Sequence, residues 1–170
     1  MTTFGVAIAI PEPWGPHLQG YRAGLGDDSA EGIPSHITLA GPIELPDDNL
    51  DPVREHLRTV AAELKPFDIH LKGTDTFRPV SPVVFVALAG GSTSCAAVSH
   101  AVRSGPLDAE LVFPYHPHVT VAHELEDGLL DRAAEELASF ECAFTVDKVH
   151  LYSFTDEPGW VPIDSFELGP

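Results

Sequence analysis

A five-residue pattern occurs twice in this chain, as Ser35-His36-Ile37-Thr38-Leu39 and as Pro117-His118-Val119-Thr120-Val121, with its histidines 82 positions apart in 170 residues. In each copy apolar and polar residues alternate with a period of two, the pattern of a half-buried strand. The flanking segments repeat as well. Phe4 to Ile10 is an apolar run ended by Pro11, Pro13, Gly15 and Pro16, and a helix is expected from about His17 to Leu25. A polar turn, Gly26 to Pro34, leads into the first patterned strand, which Gly41-Pro42 is expected to close. Pro46-Asp47-Asp48 opens a helix whose apolar residues Leu50, Val53, Leu57, Val60, Ala61 and Leu64 recur at three and four. Lys65-Pro66 stops it before a strand from Phe67 to Phe77. The order then returns: a strand from Val83 to Ala89, a helix from Ser92 to Arg103, a break at Gly105-Pro106, and the second patterned strand from His118 to Ala122. A helix carrying Leu129, Leu130, Ala133, Ala134 and Leu137 follows, and Phe144 to Phe154 is expected as the last long strand.

Each half therefore reads strand, helix, strand, helix, strand. A period of about 80 residues in two copies is too long and too few for a solenoid, so the reading is a single α+β domain over residues 1–170. Its two lobes are expected to be built from internally duplicated halves, roughly 1–78 and 79–170, related by a pseudo-twofold axis. Such an axis brings equivalent residues face to face and puts His36 opposite His118.

Composition narrows the partners. Nine Lys and Arg against 26 Asp and Glu leave a formal charge of -17, which repels a nucleic-acid backbone, so no long RNA or DNA is expected as a partner. A small phosphorylated ligand stays open, because a pocket supplies its own donors and salt screens remote charge over roughly 8 Å. With 44% hydrophobic residues the chain is expected to fold alone, as a monomer. Met1 to Ile10 has no basic lead and too short an apolar run for a signal peptide or membrane span, so a cytoplasmic protein with no membrane contact is expected. Cys95 and Cys142 lack CxxC spacing and read as buried thiols.

The repeated polar pair carries the chemistry. His36 and Thr38 share one strand face while Ile37 and Leu39 turn to the core, and His118 and Thr120 repeat this against Val119 and Val121. An imidazole gives or takes a proton near neutral pH, and a threonine hydroxyl binds a phosphoryl oxygen without adding charge. Two such pairs make a phosphate cradle with an acid and a base. Structural histidines would explain either pair alone, but packing has no need for the same polar pair twice in register.

With these residues in hand, the two His-x-Thr segments resemble the signature motifs of the 2H phosphoesterase superfamily, in its 2′,5′ RNA ligase-like and cyclic phosphodiesterase branch. The likeness extends to the Phe67 to Phe77 and Val83 to Leu88 strands, the Tyr115-His116-Pro117 lead-in and the Val149-His150-Leu151-Tyr152 segment. It implies a bilobal fold with antiparallel sheets lining a central cleft and helices outside. The implied activity is on a 2′,3′-cyclic phosphate or related small nucleotide or RNA-end phosphodiester, without cofactor or metal. His36 and His118 would be catalytic and Thr38 and Thr120 would bind phosphate. A 2′,5′ RNA ligase or nuclease, or a binding module without turnover, are the alternatives. Relatives carry a basic residue soon after the second motif, where this chain has His123. Arg78 is a candidate for the missing cation, and Phe77 and Tyr115 for contact with a base.

A metal site is the main rival, since His116, His118 and His123 cluster and imidazole is a common zinc ligand. On a regular strand His116 and His118 share a face and His123 falls on the other, which argues against it. Gly-rich phosphate loops, GxSxG elbows and kinase signatures do not occur. The remaining histidines, His17, His56, His70, His100 and His150, are expected at the surface.

Overall fold

The computed structural model describes residues 1–155 and 159–170. Eight strands and four α-helices follow one another among them: β1 (Thr2–Ala9), α1 (Trp14–Gly24), β2 (His36–Leu45), α2 (Leu50–Glu63), β3 (Phe67–Thr76), β4 (Val83–Gly90), α3 (Ser92–Val102), β5 (Val119–His123), α4 (Asp127–Glu136), β6 (Glu141–Val146), β7 (Lys148–Phe154) and β8 (Trp160–Glu167). The fold is α+β, with two four-stranded antiparallel sheets in the orders β2-β1-β7-β8 and β5-β4-β3-β6.

The first three places of each sheet are filled by strands that correspond in the repeat: β2 with β5, β1 with β4, β7 with β3. The third strand of each set is exchanged, since β3 pairs with β4 and β7 pairs with β1. The sheets therefore do not divide near residue 78 as the two halves of the sequence do. The helices cross over too, with α3 packing against β2 and α1 against β5. One core results, in which Phe4, Ile8, Leu18, Ile37, Leu39, Leu57, Ile69, Leu71, Leu107, Leu130 and Leu151 are all fully buried.

Three elements depart from the sequence reading. β2 does not close at Gly41-Pro42 but runs on to Leu45, absorbing both residues in an irregularity between Phe4↔Ile43 and Val6↔Ala40. β2 is an edge strand, where a proline's missing N–H breaks no ladder. The segment Phe144 to Phe154 is not one strand: β6 pairs with β3 in one sheet, and after Asp147 the chain passes to the other sheet, where β7 pairs with β1. β8, which carries Pro162 on the other edge of that sheet, was not foreseen. Cys95 and Cys142 are buried free thiols, as expected. No helix among the described residues is long and apolar enough to cross a membrane.

Candidate active site

Both patterned strands carry the same defect. Val6 pairs with Ala40 and Ala7 with Thr38, leaving Leu39 without a partner, while Val84 pairs with Ala122 and Phe85 with Thr120, leaving Val121 without one. Each is a β-bulge one residue after the threonine, a device that bends a strand and re-aims the side chains beyond it. Burial repeats as well: His36 and Thr38 are half-buried between buried Ile37, Leu39 and Ala40, and His118 and Thr120 between buried Val119, Val121 and Ala122. The bulge corrects the parity argument made for the second strand. His116, His118, Thr120 and His123 all line one cavity, because the extra residue at Val121 returns His123 to the face it would otherwise leave.

The two imidazoles are tethered identically. His36 Nδ1 donates to the Pro34 carbonyl at 2.7 Å, and His118 Nδ1 donates to the His116 carbonyl at 2.6 Å, each two residues back. A carbonyl oxygen only accepts, so Nδ1 carries the hydrogen and Nε2 is the bare nitrogen of the neutral ring. Burial holds both imidazoles below the ordinary histidine value, against the opposing pull of those carbonyls. The charges of Arg22 and of His118 itself lower His36 further, and His116 lowers His118. The motif strands β2 and β5 touch one another.

Each ring also leans on aromatic groups. Trp160, the first residue of β8, lies over His36 with ring centroids 4.5 Å apart, backed by Tyr152 at 5.2 Å from the indole. The turn that delivers it needs Gly159, whose φ is 103° and whose missing Cβ would sit 3.0 Å from the Gly32 carbonyl. Phe77 meets His118 edge-on at 4.8 Å and packs on Phe85 at 4.4 Å. Beside His118 opens a cavity of about 560 Å³, lined by Phe77, Val80, Val83, Phe113, Pro114, Ser81 and Thr120 as well as the three histidines. His36 and Thr38 are not among its lining residues.

Two expected contributors are engaged elsewhere. Arg78 sits 2.9 Å from Asp131 and 3.6 Å from Asp127 on α4, with its Nε donating to the Thr76 hydroxyl, and lines a separate depression with Pro79, Pro82 and Asp127. Tyr115 is half-buried against the core, and its hydroxyl donates to the Thr38 carbonyl at 2.7 Å. Burial raises the Tyr115 hydroxyl's pKa, so it remains a donor. Next to it, Ser99 donates to the carbonyl of bulged Leu39 at 2.6 Å, and Arg103 donates to Ser99 at 2.9 Å while lying over the Tyr115 ring. These three residues clasp the bulge of β2 from the second half of the chain. Sequence reading also missed the buried pair Arg22 with Asp27, 2.6 Å apart. Burial pushes the Asp27 carboxyl up, but hydrogen bonds from Ser29 and Arg22 outweigh it and hold the carboxyl below its usual range. Among the other histidines, His17 and His100 are exposed, but His56, His70 and His150 are half-buried, His56 being bonded to the Val102 carbonyl at 3.0 Å. No group of three or more His, Cys, Asp and Glu among the described residues is arranged to hold a metal ion.

Comparison with known proteins finds relatives in sequence and in fold. A candidate phosphoesterase of Bacillus licheniformis is 30% identical over 142 residues, covering 81% of this chain and 82% of the relative. One of Halalkalibacterium halodurans is 27% identical over 168 residues, covering 98% and 97%. Among solved structures, a phosphoesterase superposes with a TM-score of 0.72 at 15% identity over the whole of both chains. Escherichia coli LigT complexed with NADP+ superposes with a TM-score of 0.71 at 16% identity, covering 99% and 98%. The family model of the 2′-5′ RNA ligase superfamily matches residues 10–158, most of the chain, and the chain belongs to that superfamily, the 2H phosphoesterases.

Proposed function

We propose that this protein is a metal-independent phosphodiesterase that opens a 2′,3′-cyclic phosphate or a related small nucleotide diester, with His36 and His118 as proton carriers and Thr38 and Thr120 as hydrogen-bond donors to the phosphate. The observation that carries the reading is the duplicated tether: two desolvated imidazoles on bulged strands, each with Nδ1 fixed on a carbonyl and Nε2 left for chemistry. Escherichia coli LigT has been solved with 3′-AMP, with ATP and with phosphate, which supports a nucleotide phosphate as the ligand class.

In this mechanism one neutral Nε2 takes a proton from water as the water oxygen bonds to phosphorus. The bond from phosphorus to one ribose oxygen breaks, and the other imidazole, protonated, gives its proton to that oxygen. The threonine hydroxyls donate to the non-bridging oxygens, where charge builds up. The product is a phosphomonoester, and the two rings return to their starting states by exchange with solvent.

The test is turnover of a panel of 2′,3′-cyclic nucleotides and 2′,5′-linked dinucleotides. Replacing His36 or His118 by Ala removes one proton transfer and costs about 10² to 10⁴ in rate. The double variant loses little beyond the worse single one, because the two act as a unit. Activity persists after exhaustive chelation. A folded His36→Ala protein with near-full turnover, or activity lost to chelator and restored by zinc, ends the proposal.

A further inference from the structure

The two signature strands match, but their surroundings do not. On the first, the Trp160 ring covers His36 with Tyr152 behind it. On the second, the space beside His118 is open as the cavity walled by Phe77, Val83 and Pro114, with Val80 and Phe113 at its mouth. Val80 is 70% exposed and Phe113 64%, both large apolar groups facing water beside polar site residues. A bound phosphodiester whose phosphate meets Thr120 and His118 can extend the rest of the molecule into this cavity.

The charge around that cavity is as telling as the shape. None of the nine Lys and Arg lines the cavity among the described residues. Arg78 is neutralised by Asp127 and Asp131, and Arg22 by Asp27. Arg103 is turned onto Tyr115 and Ser99. His123, on the cavity wall, stands 3.7 Å from Glu124. Cationic help within the cavity comes from imidazoles alone, inside a molecule of charge -17. Further phosphates would enter this space without a fixed positive charge to meet them.

We propose that the cavity beside His118 receives an uncharged planar ring, the base of a nucleotide bearing a single phosphate, and that it discriminates against di- and triphosphate nucleotides. The ring packs on Phe113 and Phe77 while Ser81, His116 and His123 offer hydrogen bonds to its edge. The proposal rests on the phosphodiesterase reading for the placement of the phosphate, and its test is binding, independent of turnover.

Calorimetric titration of the whole protein with inorganic phosphate, 3′-AMP and ATP gives the order directly. The expected result is 3′-AMP tighter than phosphate by about tenfold or more, with ATP no tighter than 3′-AMP. Phe113→Ala, at an exposed position, weakens 3′-AMP by about tenfold and leaves phosphate unchanged. Val80→Lys, which places a cation at the mouth, tightens ATP more than 3′-AMP. ATP binding tenfold tighter than 3′-AMP to the unaltered protein, or 3′-AMP affinity indifferent to Phe113→Ala, overturns the proposal. If that happens while cyclic phosphates are still turned over, the diesterase reading stands and the cavity assignment falls. If the binding order holds with no turnover of any diester, the cavity assignment stands without the catalytic reading.

Discussion

The shared tether of His36 and His118 decides which nitrogen is left free, and burial decides where on the pH scale the ring titrates. Burial is the larger influence on each ring and works against the charged form, so both lie below the ordinary 6.5 in the free protein. The profile of kcat/KM reports the free enzyme, and its bell is therefore expected with its centre on the acid side of 6.5. An anionic phosphate between the rings favours their protonation, so the kcat profile shifts to higher pH. Initial rates from pH about 4.5 to 9 check this, and a kcat/KM optimum well above 7 would contradict the burial argument. The stability linkage has the same cause. An unfolded imidazole takes up protons more readily than these folded ones, so their contribution to stability is fully present above about 6.5 and falls away as pH drops toward the folded values. At this scale the placement of the two polar pairs was legible in the sequence, since a histidine and a threonine two apart on a strand need only period-two alternation to share a face. The commitments of Arg78 and Tyr115 were not legible, because Asp131 and the Thr38 carbonyl are partners that only the packed fold supplies.

At the scale of elements, two bulged strands do what regular strands cannot. A bulge frees the Leu39 carbonyl from the ladder, and a freed buried carbonyl needs a donor. Ser99 provides it, Arg103 steadies Ser99, and Tyr115 holds the neighbouring Thr38 carbonyl from the segment leading into β5. Tyr115 is thus a positioning residue that ties the entrance of one signature strand to the backbone of the other. Tyr115→Phe keeps the ring and deletes one hydrogen bond, at a cost of about 0.5 to 1.5 kcal/mol in stability. Because Thr38 and His36 shift together when that tie is lost, kcat falls several-fold and KM changes little. A purely structural tyrosine would lower the melting temperature and leave kcat alone. The bulge is also why the sequence misled about His123: counting by twos is valid only on an unbroken strand, and the break at Val121 is invisible in a run of small apolar residues. The passage from β6 to β7 was hidden for a related reason. Phe144 to Phe154 alternates apart from Asp147-Lys148 and Leu151-Tyr152, and the switch of sheets at Asp147 leaves no mark beyond that pair of adjacent charged residues. β8 was obscured by Pro162, tolerated there because the strand lies at an edge.

For the whole molecule, the exchange of β3 and β7 between sheets makes the two lobes inseparable. Each sheet draws strands from both halves of the chain, so the separation of the signature strands is set by the common core and not by a hinge. Around that centre the chain carries 26 acidic against nine basic side chains, and five of the nine, Arg22, Arg54, Arg58, Arg78 and Arg132, are paired with carboxylates. A protein binds an RNA backbone by displacing its counterions with lysine and arginine, and its affinity then falls steeply with added salt. Few free cations here can do that, and the net field opposes the approach. Membership of a superfamily named for RNA ligation therefore does not make long RNA the ligand. The expectation is that a fluorescent single strand of about 30 nucleotides binds more weakly than about 10⁻⁴ M even at low salt, with no counterion-release slope. A mononucleotide cyclic phosphate, met by local donors at His118 and Thr120, is turned over at a rate that hardly changes over the same salt range, since buried pairs are screened little. Anisotropy titrations of the strand and initial rates on the mononucleotide, run side by side over salt, separate the two ligand classes. Tight strand binding with a steep salt slope would mean that the chain assembles a basic surface despite its composition, and the small-substrate reading would then have to give way to an RNA-end enzyme.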